Sequence, residues 1–90
     1  MSVNLHIHMT HRQHTNGLKT VEADGKTIGE ALIHLAAQYP GMKKELFDKK
    51  GELRNYIEIY LNNVSAFPEE LKKPVKDGDE IQIITFLAGG

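Results

Sequence analysis

The sequence predicts a small α+β domain in which one helix lies across one side of a β-sheet. Apolar and polar residues alternate in three separate segments, with the period of two that is typical of half-buried strands: 3–9, 57–61 and 81–85. Between the first two segments, apolar residues recur at helical spacing over 28–39. Because one helix cannot cover both faces of a sheet, this order of elements predicts the α+β class.

The first two strands are predicted to form a hairpin. The first strand would bury four alternating side chains: Val3, Leu5, Ile7 and Met9. A polar segment follows it. The second strand is predicted over 18–23, because that stretch lies between the turn-forming pairs Asn16-Gly17 and Asp24-Gly25.

The helix is predicted to begin at Thr27. The spacing of Thr27 and Glu30 is that of a capping box, in which the hydroxyl accepts from an early backbone amide and the carboxylate reaches back. Six apolar residues then share one stripe: Ile28, Ala31, Leu32, Leu35, Ala36 and Tyr39. Pro40-Gly41 ends the helix, and one further short helical turn is predicted from Met42, Leu46 and Phe47.

The second half of the chain predicts two more strands separated by turns. Alternating Ile57, Ile59 and Leu61 run into the turn signal Asn62-Asn63. Turns are then predicted at Pro68, Pro74 and Asp77-Gly78. The closing strand, 81–87, would place Ile81, Ile83 and Thr85 on one face.

Composition restricts the function. Ninety residues make one small domain, 1–90, and the net charge of −1 gives no general reason to bind nucleic acid. The absence of cysteine removes disulfides and thiolate chemistry. No apolar run is long enough to span a bilayer and no secretory signal is visible, so neither a membrane nor export is expected, and the cytoplasm is the predicted location.

Histidines and tyrosines are the other candidate site residues. His6 and His8 would share one strand face, with His11 and His14 in the loop beyond; His-x-His pairs can bind transition metals. Because no carboxylate or cysteine completes a ligand set, we expect a polar surface and no metal. Tyr56 and Tyr60 share a strand face, and either form a partner surface or pack beneath a loop.

The most informative segment is the end, Ala88-Gly89-Gly90, directly after the closing strand. Glycines carry no Cβ, so such a tail can thread a narrow channel and present the carboxylate of Gly90 to a partner's active site. A flexible glycine end without a role is the alternative. The tail, 86–90, is expected to be mobile until it is bound.

These segments together resemble the MoaD/ThiS type of sulfur carrier, a ubiquitin-like β-grasp family that ends in Gly-Gly. The resemblance covers nearly the whole chain and rests on the following matches: Thr27-Ile28, Tyr39-Pro40-Gly41, Gly51-Glu52-Leu53-Arg54, Ile59-Tyr60-Leu61-Asn62, 76–81 and 87–90. It implies a mixed sheet of four or five strands with one main helix. Segment 12–17, with Lys19 and Val21, further resembles the branch that supplies sulfur for cysteine synthesis.

The resemblance also implies a chemical cycle at Gly90. An E1-like adenylating enzyme would use ATP and Mg²⁺ to activate the terminal carboxylate, and a sulfur donor would convert it to a thiocarboxylate. A sulfur-accepting biosynthetic enzyme would then receive the sulfur. Gly89 would supply freedom and absence of bulk, and three residues would dock the tail: Ala88, Leu87 and Phe86. The chain would be a protein cosubstrate rather than an enzyme, and would hold no cofactor itself.

Two further hypotheses and the destination of the sulfur stay open. The chain could be a ubiquitin-like modifier, joined through Gly90 to lysines, or a β-grasp binding module acting through Tyr56 and Tyr60. For a sulfur carrier, cysteine synthesis is the first expectation. Molybdopterin synthesis, with this chain as the small subunit of the synthase, comes next, and thiamine third. Segment 62–66 lacks the arginine that family members often carry after the Asn turn, which leaves the partner open.

Overall fold

A computed structural model describes residues 2–86 and arranges them as a five-stranded mixed sheet with the strand order β2-β1-β5-β3-β4. The strands are β1 Ser2–His6, β2 Thr20–Asp24, β3 Ile57–Leu61, β4 Val64–Ser65 and β5 Glu80–Thr85. The α-helices are α1 Ile28–Gln38 and α2 Gly41–Leu46, and the 3₁₀ helices are Met9–Thr15 and Glu70–Lys72. β1 and β5 are parallel at the centre, and the other neighbours are antiparallel. The predicted α+β class is confirmed.

The core lies between the sheet and α1. Alternate residues of β1, β3 and β5 are buried, as their period of two predicts: Val3, Leu5, Ile57, Ile59, Ile81 and Ile83. They meet the buried stripe of α1, which consists of Ile28, Ala31, Leu32 and Leu35. The helix therefore crosses one side of the sheet, as the sequence predicts.

Helix α1 begins as predicted, with one difference in the capping box. The Thr27 hydroxyl accepts a hydrogen bond from the Glu30 amide at 3.1 Å. The Glu30 carboxylate accepts from the amide of Lys26 at 2.8 Å, one residue before the usual partner. The predicted extra turn is confirmed as α2, in which Met42 and Leu46 are fully buried.

The first strand is shorter than predicted. β1 ends at His6, and Met9 lies in the first 3₁₀ helix with 70% of its surface exposed. The reason is local, since the imidazole of His8 caps this helix by accepting from the amide of Thr10 at 3.3 Å. The polar segment predicted as a loop is thus partly helical. β1 and β2 still pair antiparallel, which confirms the hairpin.

The turn after β3 joins two distant parts of the chain. Asn62 and Asn63 both have positive φ angles, 51° and 70°, which suits a tight hairpin into β4. The Asn62 side chain accepts from the amide of Glu80 at 2.9 Å, and so connects this turn to the start of β5. Gly78, with φ +85°, is a turn glycine as predicted. No helix among residues 2–86 is long and apolar enough to cross a membrane.

Candidate site at the end of the closing strand

Of the predicted tail residues, Phe86 lies within the described chain. Leu87, Ala88, Gly89 and Gly90 lie outside the described residues. The amide of Phe86 donates to the carbonyl of Tyr56 at 2.8 Å, so backbone pairing with the chain before β3 continues one residue beyond β5. The aromatic ring is 54% exposed. The chain therefore enters its last four residues from a fixed backbone position beside an exposed ring.

A cleft of about 320 Å³ lies next to Phe86, and Phe67 lines it as well. Phe67 is 74% exposed, so two large aromatic rings face solvent at the same place. Arg54, Glu58 and Glu70 add charge to the cleft. Exposed aromatic side chains beside polar groups are typical of protein-binding surfaces. Phe67 was not predicted from the sequence as a site residue. A single aromatic residue in a polar, turn-rich stretch is the pattern that could have indicated it.

The sheet face opposite α1 carries a polar cluster along β1 and β5. The Glu80 carboxylate contacts the imidazole of His6 and accepts from the side-chain amide of Asn4 at 2.8 Å. These hydrogen bonds, first that of Asn4 and then that of His6, hold the pKa of Glu80 below its usual value, despite some opposing desolvation. His6 is thus engaged within the fold.

His8 and His11 are placed differently from their prediction. His8 caps the first 3₁₀ helix rather than extending the strand, and His11, expected in a polar loop, is only 3% exposed. His11 lies behind the end of β5, with its Nε2 atom 2.9 Å from the hydroxyl of Thr85. Among residues 2–86, no three His, Asp or Glu side chains are grouped so that they could hold a metal ion.

The two tyrosines are both half-buried, and each has contacts within the fold. Tyr56 precedes β3 and packs against the core. Tyr60 is half-buried within β3, and its hydroxyl donates to the Glu58 carboxylate at 3.3 Å. Tyr56 thus packs within the fold, which is nearer to the second of the two predicted alternatives, packing beneath a loop, than to a partner surface.

A protein-family model described as the ThiS family matches residues 9–90. This chain belongs to the ThiS family. The match includes the first 3₁₀ helix, the whole of α1 and the Gly-Gly end. It confirms the family to which the sequence motifs pointed, and the five-stranded mixed sheet agrees with the ubiquitin-like β-grasp fold of that family.

Known proteins similar to this ThiS-family chain include sulfur carriers and a modifier. The sulfur carrier protein CysO of Mycobacterium tuberculosis is 36% identical over 93 residues, covering 100% of both chains. A chain in the crystal structure of the Amycolatopsis orientalis BexX/CysO complex matches with a TM-score of 0.88 and 35% identity, over 98% of this chain and 99% of that one. Small archaeal modifier protein 1 of Haloferax volcanii is 31% identical over 71 residues, 78% of each chain.

Proposed function

We propose that this protein is a sulfur carrier that acts through a thiocarboxylate at Gly90. The observation that carries the proposal is the likeness to the sulfur carrier protein CysO, at 36% identity over the whole of both chains. The family match extends to Gly90, and the sequence supplies two glycines at that end. The protein would be a substrate of its partner enzymes and would not catalyse the reactions itself.

The chemistry explains why a partner must act first. A carboxylate is a poor electrophile, because its charge is delocalised and its oxygen is a poor leaving group. Adenylation by an E1-like enzyme with ATP and Mg²⁺ would convert the Gly90 carboxylate into an acyl adenylate and release pyrophosphate. Attack by a sulfide-level donor on the carbonyl carbon would then form a C–S bond and expel AMP. The resulting thiocarboxylate is a better nucleophile than the original carboxylate.

The surface beside the tail gives the partner enzymes a place to dock. Phe86 and Phe67 are both exposed and line one cleft, at the point where the chain enters residues 87–90. Burying two aromatic rings would orient the tail, while Leu87 and Ala88 would lead into the partner's channel. Gly89 would pass a constriction that a side chain would block.

We propose cysteine synthesis as the destination of the sulfur. Support comes from the resemblance of segment 12–17 to the cysteine branch and from the full-length likeness to CysO. Molybdopterin synthesis is the next destination to test, and thiamine synthesis follows. Assays of sulfur transfer from the loaded carrier to the acceptor enzyme of each pathway would separate the three.

Conjugation to lysines is a second candidate function, favoured by the likeness to small archaeal modifier protein 1. A modifier and a sulfur carrier share the adenylation step and differ in what attacks the acyl group. Blotting cell extracts for covalent adducts of the chain, with a Gly90 deletion as control, separates them. A carrier gives no adducts, whereas a modifier gives adducts that disappear with the deletion.

Adenylation itself is tested by ATP–pyrophosphate exchange with the adenylating enzyme of this family from the same cell. We expect exchange that depends on the full chain and is lost when Gly90 is deleted. Exchange that is equal with the deletion variant would contradict activation at Gly90.

A further inference from the structure

A buried histidine contacts the strand that leads to the proposed reactive end. His11 lies in the first 3₁₀ helix, and Thr85 is the last residue of β5. The two are 74 positions apart in sequence, and His11 Nε2 is 2.9 Å from Thr85 Oγ1. Directly after Thr85, the Phe86 amide donates to Tyr56 at 2.8 Å. These are the last contacts before residues 87–90.

The segment that carries His11 is held in place from several sides. At its start, the guanidinium of Arg12 donates to the carbonyl of Ile7 at 3.1 Å. At its end, the buried hydroxyl of Thr15 donates to the carbonyl of Leu18 at 2.9 Å. On the side of α2, His14 lies 3.1 Å from the Glu45 carboxylate. Because the helix is fixed at both ends, the imidazole of His11 is fixed against β5.

A histidine at position 11 lowers the stability of the fold relative to an apolar residue of similar size. Its Nδ1 atom is buried and has no hydrogen-bond partner among residues 2–86. If Nε2 accepts from the Thr85 hydroxyl, a buried N–H at Nδ1 is unpaired; if Nε2 donates, Nδ1 is an unpaired acceptor. Either tautomer carries a desolvation cost that an apolar side chain would avoid. The contact with Thr85 is the feature that an apolar residue could not supply.

We propose that His11 is a positioning residue, which holds Thr85 through a side-chain hydrogen bond and thereby fixes the direction in which the tail leaves the sheet. The inference rests on the proposed function, since it assigns the contact a role in presenting Gly90. Holding the tail at its base limits the directions in which the tail can leave the sheet. The tail therefore loses less conformational entropy when it enters a partner's channel.

The buried site around His11 favours a neutral imidazole. Burial lowers the pKa of His11, and the nearby imidazoles of His14 and His8 lower it further, while the Glu45 carboxylate opposes them. Protonation would add a charge and a second N–H to a site where Nδ1 has no acceptor. Acid is therefore expected to favour opening of the site that buries His11, and with it release of Thr85, before it unfolds the domain.

The experiment compares Thr85→Val, which removes the hydroxyl and keeps the shape, with Thr85→Ser, which keeps the hydroxyl. Hydrogen exchange of the Phe86 amide, measured by NMR, reports opening at the base of the tail, and the Ile83 amide in the middle of β5 is the internal control. We expect Thr85→Val to speed Phe86 exchange about three- to ten-fold, the effect of losing one hydrogen bond, with Ile83 unchanged and Thr85→Ser close to wild type.

The functional arm measures KM and kcat for the carrier in ATP–pyrophosphate exchange. We expect Thr85→Val to raise KM several-fold at unchanged kcat, and Thr85→Ser to restore it. If the Phe86 amide of Thr85→Val exchanges at the wild-type rate, the hydrogen bond between His11 and Thr85 does not hold the end of β5. If that amide exchanges faster but KM is unchanged, the hydrogen bond does not position the tail for its partner. If the wild-type chain supports no ATP–pyrophosphate exchange, the proposed function fails, and the positioning role fails with it. The hydrogen-exchange rates still decide whether the contact between His11 and Thr85 holds the strand.

A second measurement keeps the inference testable should Thr85→Val fold poorly. In the wild-type protein, protection of the Phe86 amide relative to Ile83 is expected to fall several-fold as the pH decreases from 7.5 to 5, after correction for intrinsic exchange rates. A constant ratio across that range would contradict the inference that burial of a neutral His11 holds the end of β5 closed.

Discussion

At the scale of single residues, polar side chains with fixed partners join parts of the chain that lie far apart in sequence. Asp79, at the start of β5, accepts from the Lys76 amide at 2.7 Å and from the Asn62 side chain at 3.1 Å. It thereby joins two turns at the end of the sheet away from the tail. The same hydrogen bonds, that of Lys76 first, lower the pKa of the Asp79 carboxyl.

Replacing Asp79 is expected to destabilise the fold in a pH-dependent way. Asp79→Ala should lower the free energy of unfolding by ~1–3 kcal/mol at pH 7, since two hydrogen bonds to a carboxylate are lost. Because the folded-state pKa lies below the ordinary value of 3.8, the stabilisation is complete above that pH and is lost as the pH falls through the folded-state pKa. Urea denaturation at pH 7 and pH 3 measures the effect.

Asp24→Ala is the control for Asp79, because Asp24 is an exposed carboxylate at the end of β2. It should change the free energy of unfolding by less than about 0.5 kcal/mol. Equal losses for the two variants, or a loss for Asp79→Ala that does not shrink in acid, would contradict the role given to Asp79.

Burial of His11 predicts a second loss of stability in acid, which begins at a higher pH than that of Asp79. Because the folded-state pKa of His11 lies below 6.5, the unfolded chain binds the proton more tightly, and stability falls as the pH decreases from 6.5 towards the folded-state pKa. His11→Leu removes this titration. The stability of the variant relative to wild type should therefore rise as the pH falls from 7.5 to 5, and parallel curves in thermal melts would count against burial of a neutral imidazole.

At the scale of elements, the sequence predicted the strands and helices that are built on strict periodicity. Val3, Leu5 and the stripe of α1 are buried as expected, because a periodic apolar pattern determines which face of a strand or helix packs against the core. The first 3₁₀ helix escaped prediction, because it rests on single contacts such as the cap from His8. Burial of His11 depends on β5, which is distant in sequence, and local patterns carry no sign of it.

The junction between α1 and the second 3₁₀ helix is expected to tolerate no side chain at Gly29. A Cβ at Gly29 would lie 2.8 Å from the backbone oxygen of Leu71, so one element would have to shift. The gain in helix propensity from Gly29→Ala is at most about 1 kcal/mol, whereas overpacking costs about 1–3 kcal/mol. We expect a net loss of stability in urea denaturation.

Ile33→Ala is the control on the same helix, since Ile33 is 62% exposed. That substitution should cost less than about 1 kcal/mol, because little buried surface is removed. A Gly29→Ala variant more stable than wild type would show that the two elements separate easily, contrary to the packing described.

In the folded domain, a cleft with two exposed aromatic rings lies beside the base of the tail. The sequence predicted Phe86 as a docking residue but not Phe67, because the two meet only through the arrangement of the turn after β4 around β3. The tail residues 87–90 remain a prediction from sequence and family.

The cleft predicts a loss of partner binding without a loss of stability. Phe86→Ala and Phe67→Ala should each raise KM for the carrier in ATP–pyrophosphate exchange by about ten-fold or more, the effect expected if each ring is a hot spot of the interface. Both rings are largely exposed, so melting temperatures should change little. Met9→Ala, which truncates an exposed apolar side chain elsewhere, is the matched control and should leave KM unchanged; an equal rise in KM for Met9→Ala would argue against a specific docking surface.

Mass spectrometry of the intact protein shows whether Gly90 carries sulfur. The protein is incubated with ATP, Mg²⁺, a sulfide source and the family's adenylating enzyme, and a Gly90 deletion is treated in parallel. We expect a mass gain equal to replacing one oxygen by sulfur, located in the last peptide and absent from the deletion. An unchanged mass, with the enzyme shown to be active by pyrophosphate exchange, would contradict the proposal that Gly90 carries sulfur.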